Sequence, residues 1–473
     1  MKGTDTGDLP SAAVLERSGI RIGFIGMVTP LIAEFEENSD RLDDYDVYNP
    51  MDVMRSAIDE LRAQNVDCIV AMIHEGLEEE RGVYGSSIRD IAANFPELDV
   101  IIGGHAHENV ECEYENGVLL CEPGVYAQAI SDVELTFMPT EDGAELVNKT
   151  SRILPRGSES DSELEALLLP YKQMMFEETN REIGQLIGAD LSSDSGIEGI
   201  SGVYTQPSGI MNLFGSAAMY YSGADCALYC TDNENAGFPV GPIKISNIFE
   251  SFTYTGGEVS VFQLSGRQLK KLLEWCADYF NQMEEGDLLP SYNPIRRSSK
   301  YSSDHLASGI AFEYDLTAES GNRVKGLSLI RKNEKCTPEF SADGELQRTP
   351  IEDGDVSRLA APRYYMEGWT SEGNVLFGEQ IECVFDSEVV YGDDNGTLRA
   401  LTIRYIQDVF DGKLNGLEFN YAGWSLYTGV DPNSEDYKAA VEMLNDGTLQ
   451  LHSSEDGHTN TRSITVEDVR NAM

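Results

Sequence analysis

An α/β fold in two parts is predicted by three observations. Between Ile20 and Ile102, apolar β-branched runs alternate with helix-spaced patterns. A polar run and a long helical stretch then interrupt the alternation. Beyond Ile187 strands and helices resume in a segment richer in Ser, Gly and Tyr. The first strand is Ile20–Val28 (IRIGFIGMV), apolar along its length as expected of a strand buried on both faces. Pro50 opens a helical pattern through Asn65, with Met51, Met54, Ile58 and Leu61 at helix spacing. Pro suits a first helical turn, where no backbone N–H is needed. Cys68–Ile73 reads as a second buried strand, Ser87–Phe95 as a helix, and Val100–Ile102 as a third strand. That third strand runs straight into Gly103-Gly104-His105-Ala106-His107. Such alternation implies a parallel or mixed sheet covered by helices.

Ala127–Phe137 reads as an antiparallel strand. After the polar run Ser151–Ser162, Asp161–Leu186 reads as one helical stretch broken at Pro170, a connector between domains. In the second part, helices are expected at Ser208–Tyr221, Ser246–Phe252, Gly266–Phe280 and Thr397–Val409. Strands are expected at Asp225–Tyr229, Val259–Leu264, Ile310–Tyr314 and Ile381–Val390. The predicted division is 1–150, a connector at 151–186, a second α/β domain at 187–431 and a closing tail at 432–473.

The 473 residues carry 34 Lys+Arg against 82 Asp+Glu, a formal net charge of −48. A surface so acidic repels nucleic acid and anionic lipid headgroups, so neither is expected as a partner. It also repels phosphate-bearing ligands unless a metal or local cations recruit them. No run approaches the roughly 18 apolar residues of a membrane span. The opening MKGTDTGDLPSAAVLERSG holds no apolar core of a signal peptide. The 8 Cys match no zinc-ribbon spacing. Cys112 and Cys121 flank an Asn-Gly turn, which leaves open a cross-strand disulfide or two free thiols.

His74, His105 and His107 each fall at the C-terminal end of a predicted strand, where open α/β sheets bind ligands. Imidazole is a common ligand of Zn, Mn, Fe and Ni. A His pair two residues apart on a Gly-Gly turn lets two rings approach one centre. A lone His at such a place more often caps a strand. Three on successive strand ends favour a metal site.

IVAMIHEG (69–76) followed by LDVIIGGHAH (98–107) resembles the last two metal motifs of calcineurin-like metallophosphoesterases, and within them the 5′-nucleotidase and 2′,3′-cyclic-nucleotide phosphodiesterase family. GIRIGFIGMVTP resembles the strand preceding those motifs. GIMNLFGSAAMYYSGADCALYC (209–230) and GPIKISNIFESFTYTGGEVSVFQLSGRQLKKLLE (241–274) resemble stretches of the family's second domain. The resemblance spans Gly19 to Asp431. It implies a partial αββα sandwich of the metallophosphoesterase type in 1–150, joined to a 5′-nucleotidase C-terminal domain. It also implies two divalent ions of the Zn/Mn type, with His74 and His105 on one and His107 on the other, and a nucleotide or related small phosphate ester as substrate. Location outside the cytoplasm is implied as well.

The family's other metal motifs, Asp-x-His, Gly-Asp-x-x-Asp and Gly-Asn-His-Glu/Asp, precede the strand matching Ile20–Val28. The resemblance therefore implies an N-terminally truncated member that binds metal weakly and is inactive alone, with the missing half as a partner. In the second domain, the Arg expected to clamp an anion aligns with Asn235, close to Asn233. Stacking on a base falls to Tyr301 and to Tyr364, Tyr365 and Trp369. A non-catalytic nucleotide- or ligand-binding protein, and one half of a split gene, remain the alternatives.

Overall fold

The computed structural model describes residues 12–35, 42, 45–140, 143–192, 194–229, 233, 236–252, 258–294, 306–363, 365–366, 376–377, 381–453 and 459–472. The chain divides into two compact units, Met1–Leu167 and Leu168–Met473.

The first unit is built on β1 (Ala12–Arg17), β2 (Ile20–Val28), α1 (Ile32–Phe35), α2 (Pro50–Ala63), β3 (Cys68–His74), α3 (Ile88–Asn94), β4 (Val100–Ile102), β5 (Asn109–Glu115), β6 (Val118–Pro123), β7 (Ala129–Pro139) and β8 (Ala144–Pro155). Its six-stranded sheet has the order β1-β2-β3-β4-β6-β5. The four central strands, β2, β3, β4 and β6, run parallel, and the edge strands β1 and β5 are antiparallel to them. Parallel central strands need coverage on both faces, which explains why β2 and β3 are apolar throughout.

On one face, α2 and α3 supply Met54, Ile58, Leu61, Ile88 and Ile91 to a core with Ile25, Ile69, Ala71, Ile73 and Ile101. Asn49 caps α2, its side chain accepting from the Met51 N–H, and Pro50 takes the first turn. Ser87 caps α3 in the same way, accepting from Arg89 and Asp90. On the other face, the β7–β8 hairpin lays Val133, Leu135, Phe137 and Leu146 over Cys68, Val70, Val100 and Leu119. The hairpin covers only the N-terminal half of that face. Further along, Gly26 pairs with Met72 and Val28 with His74. There Val28 is 49% and Met72 53% exposed, an open apolar strip leading to the first histidine.

The second unit follows α4 (Ser162–Thr179), inside which the division between units falls. Its strands are β9 (Glu182–Ile187), β10 (Asp194–Ile197), β11 (Ile200–Ser201), β12 (Cys226–Tyr229), β13 (Gly241–Lys244), β14 (Ser260–Ser265), β15 (Leu306–Ser308), β16 (Ile310–Asp315), β17 (Val324–Ile330), β18 (Arg348–Pro350), β19 (Val356–Ala361), β20 (Cys383–Asp386), β21 (Lys413–Asn415) and β22 (Trp424–Tyr427). A five-stranded sheet, β15-β12-β19-β14-β20, forms its centre, beside a three-stranded sheet β13-β9-β21 and a four-stranded sheet β18-β17-β16-β22. The helices are α5 (Gly202–Thr205), α6 (Gly209–Ser222), α7 (Ile245–Ser251), α8 (Gly266–Ala277), α9 (Ser387–Tyr391), α10 (Asp393–Gly396), α11 (Leu398–Arg404), α12 (Glu435–Asn445) and α13 (Val466–Ala472). Helix α6 is buried on nearly every side, and α8 opens on a Ser265/Gln268 capping box.

The structure corrects the sequence reading at three places and settles one alternative that it left open. The helical stretch runs through Pro170 but ends at Thr179, and Glu182–Ile187 is a strand held between β13 and β21. The expected strand Ile381–Val390 stops at Asp386, which caps α9 by accepting from Glu388 and Val389. The expected helix Thr397–Val409 is α-helical only to Arg404 and continues as a π-helical turn, Tyr405–Val409. Cys112 and Cys121 are both free thiols. A register shift between Val110 and Glu113 leaves Glu111 and Cys112 together opposite Cys121, and the two thiols face each other across this irregular stretch without a bond. Helix α9 apart, these differences reflect pairings or irregularities that local pattern does not encode.

Candidate functional site

The histidines stand where the parallel strands β3 and β4 end. His74 is the last residue of β3, and His105 and His107 follow β4. Two loops meet there backbone to backbone: the Gly104 N–H donates to the Glu75 carbonyl at 2.9 Å, and the Gly103 N–H to the Cys121 carbonyl at 2.8 Å. The glycines permit this approach. A Cβ at Gly103 would lie 2.9 Å from the Glu75 carbonyl oxygen, and one at Gly76 would lie 2.5 Å from the Ala106 Cβ. The turn itself is tight. The Ala106 N–H bonds to the Gly104 carbonyl, and His105 and His107 hold φ of 74° and 62°, the left-handed region that L-residues enter at a cost.

Replacing Gly76 by Ala forces its Cβ into Ala106 and pushes the histidine turn away. A loss of roughly 1–3 kcal/mol of stability is expected, as for other overpacked sites. Denaturant unfolding of the full chain checks it, and unchanged stability would mean the two loops are not packed as described.

His74 and His105 are brought together, their rings edge to face with centroids 5.2 Å apart. Burial and the neighbouring His105 lower the pKa of His74, which keeps its imidazole neutral. His105 Nε2 lies 2.7 Å from Glu80 Oε2. That hydrogen bond holds the Glu80 carboxyl below its ordinary range. The ring of Phe35 stands 5.9 Å from His105. The ring of His107 packs against that of Tyr126, with centroids 5.6 Å apart.

Two buried carboxyls stand close by. Glu75 is 1% exposed, and neither of its oxygens has a hydrogen-bond partner. Burial, and then the charge of Asp90, push it up to about 8. Glu122 accepts from the Glu108 N–H at 3.1 Å through one oxygen, and burial raises it to about 7.

The chemistry of this donor set bears on the two-ion centre that the resemblance implies. Two imidazoles at 5.2 Å suit one shared ion of the zinc type, for which Zn–N is about 2.0–2.1 Å. Among the described residues, however, no group of three or more His, Cys, Asp or Glu converges to hold a metal. The set therefore does not fit a two-ion centre by itself.

In the second unit, β12, β19 and β20 end at one edge of the five-stranded sheet. Asn233 lies just past β12, half-buried, its carbonyl accepting from the Ala236 N–H at 3.2 Å. Asn235, Tyr301, Tyr364 and Trp369 lie outside the described residues. The same edge holds Arg363, whose N–H donates to Glu258 Oε1 at 2.8 Å and whose guanidinium lies 3.5 Å from Asp386 Oδ2. Glu258 is pushed up, chiefly by burial. Sequence reasoning missed Arg363 and Glu80. Arg363 directly precedes the Tyr pair singled out for stacking. Glu80 closes a run of three acidic residues, Glu78–Glu80, which reads as a solvated loop.

Comparison with known proteins agrees with this architecture. Residues 189–372 match the family model described as 5′-nucleotidase, C-terminal domain. The chain is 22% identical over 335 residues to the trifunctional nucleotide phosphoesterase protein YfkN of Bacillus subtilis (strain 168), an alignment covering 63% of this chain and 22% of that protein. It is 24% identical over 347 residues to the 2′,3′-cyclic-nucleotide 2′-phosphodiesterase/3′-nucleotidase of Haemophilus influenzae, covering 63% and 50%. In fold it is similar to a Staphylococcus aureus protein described as a 5′-nucleotidase and solved with alpha-ketoglutarate. The TM-score is 0.61 at 16% identity, over 88% of this chain and 74% of that one. These findings define an α/β fold in two units, similar to that of a solved 5′-nucleotidase. Residues 189–372 thus carry a domain of the 5′-nucleotidase C-terminal type. The chain spans between about a fifth and a half of the length of these curated relatives.

Proposed function

We propose that this protein takes part in divalent-metal-dependent hydrolysis of nucleotide phosphate esters, contributing the histidine end of the metal site and a nucleotide-binding domain over 187–431. The observation that carries this reading is the meeting of His74 and His105 at the C-terminal ends of adjacent parallel strands. His74, His105 and His107 hold the ions, and Asn233, Asn235, Tyr301, Tyr364 and Trp369 face the nucleotide. When bound, the ions supply charge neutralisation at the phosphate. The chain's own part is to keep His74 neutral and to set the turn that carries the other two rings.

The carboxylate donors come from polypeptide other than residues 1–473, and the protein alone is inactive. Two features support this: the described residues offer no three-donor group, and the sheet face leading to His74 is open at Val28 and Met72. The reaction takes place outside the cytoplasm in this reading, as the family resemblance implies. No helix among the described residues is long and apolar enough to cross a membrane.

The gene region upstream of Met1 provides the test. A reading frame there encoding Gly-Asn-His-Glu/Asp is expressed together with residues 1–473. Metal-dependent phosphate release from AMP or a 2′,3′-cyclic nucleotide, abolished by His74→Ala, is the expected result. AMP binding without turnover in the assembled pair would replace this reading with that of a non-catalytic binding protein.

A further inference from the structure

We propose that Glu80 is a positioning residue for His105: it takes the Nε2–H of that ring and leaves Nδ1 as the lone-pair atom available to a divalent cation. The first half stands on geometry alone, and the second rests on the metal-dependent reading above. Glu80 Oε2 lies 2.7 Å from His105 Nε2. A carboxylate offers only acceptor atoms, so at that distance the proton belongs to the ring nitrogen.

A half-exposed pair of this kind contributes little by itself. Here both partners are fixed from behind. The Glu80 N–H donates to Ser86 Oγ at 2.9 Å, and Ser86, 2% exposed, donates in turn to the Val83 carbonyl at 2.7 Å. The next residue, Arg81, pairs with Glu34 of α1 and stands 5.3 Å over the Phe35 ring, which faces His105 from its other side. The His105 backbone is held in the left-handed region. Loop, helix and turn thus present one carboxylate oxygen to one ring nitrogen. Metal-binding histidines commonly donate their second N–H to a carboxylate, which fixes the tautomer and raises ligand basicity.

Long-range ¹H–¹⁵N correlation on the full chain labelled at His tests the first half, with His105→Asn used for assignment. At pH 8, His105 is expected to show a protonated Nε2 and a lone-pair Nδ1. Glu80→Ala mixes the tautomers, and Glu80→Gln, which keeps an acceptor oxygen, largely restores the wild-type pattern. A protonated Nδ1 in the wild type, or a pattern unmoved by Glu80→Ala, overturns the proposal.

¹¹³Cd²⁺ added to the same samples tests the second half. Coupling is expected to His105 Nδ1, with cadmium affinity about 10-fold or more lower in Glu80→Ala. Coupling through Nε2, or unchanged affinity, overturns that half. Absence of coupling to any histidine also overturns that half and leaves the tautomer result standing, while the metal-dependent reading is decided by the co-expression test above.

Discussion

Purified polypeptide of residues 1–473, given AMP or a 2′,3′-cyclic nucleotide with Mn²⁺ or Zn²⁺, is expected to release no phosphate above the uncatalysed background. The reason lies in the donor set. His74 and His105 face one another, His105 is held by Glu80, and His107 rests against Tyr126. No third donor from the described residues completes a metal site. Charge stabilisation by a divalent ion is worth several kcal/mol, and each 1.4 kcal/mol is tenfold in rate. Two ions poorly held therefore amount to a deficit of about 10⁴-fold or more. The acidic surface adds to it by repelling the phosphate ester. A His105→Ala, His107→Ala double variant should match the wild type in this assay. Metal-dependent turnover that disappears in the double variant would show that the chain builds a working site from its own residues.

The second large effect is on stability, through Glu75. Its carboxyl is 1% exposed with both oxygens unpaired, and burial followed by the Asp90 charge push it up to about 8. In the unfolded chain the same group ionises near its ordinary value of 4.5. The folded value lies above the unfolded one, so the folded state holds the proton more tightly. The stability this confers is fully present below about 4.5 and is lost as pH rises toward about 8. Over that interval the loss is on the order of 5 kcal/mol, and it levels off at higher pH. Glu75→Gln removes the ionisable group and hence this slope. At pH 8.5 the variant should be the more stable protein, and at pH 5 the two should nearly agree. Opening free energies of the β3 amides, from hydrogen exchange on the full chain, provide the measurement. Equal pH slopes in the two proteins would mean that the carboxyl is solvated or paired in the native state.

Much of the scaffold was legible because it rests on local rules. Strands β2, β3 and β4 announced themselves by apolar runs. Helix α2 did so by Pro50 and its 3.6-residue spacing, and the histidines by their place at strand ends. Strand β9 was not legible for a specific reason. Its buried residues Ile183 and Leu186 are three apart, which mimics a helix, and its partners Gly241–Lys244 and Lys413–Asn415 are remote in sequence. Only their arrival explains Gly184, where a Cβ would lie 2.7 Å from the Gly412 carbonyl oxygen. Helix α9 carried a readable signal that was passed over: Asp386 before Ser387 and Glu388 is an N-cap pattern. In the site, the residue types and spacing revealed the rings but not their partners. Glu80 differs from its acidic neighbours only through the loop closure that Ser86 imposes, and sequence spacing does not express that closure.

The open strip over β2 and β3 also governs how the protein behaves when concentrated. Val28 and Met72 lie about half exposed on a surface otherwise dominated by like charges that repel. Long-range repulsion keeps molecules apart at low ionic strength, and salt shortens its reach to about 10 Å at 0.1 M. Once screened, two strips can meet. The limit on this protein is then colloidal rather than thermal: light scattering rises with salt and concentration while the unfolding midpoint stays fixed. A single negative charge at that place, as in Met72→Glu, should raise the ceiling without touching the core, because the side chain points away from it.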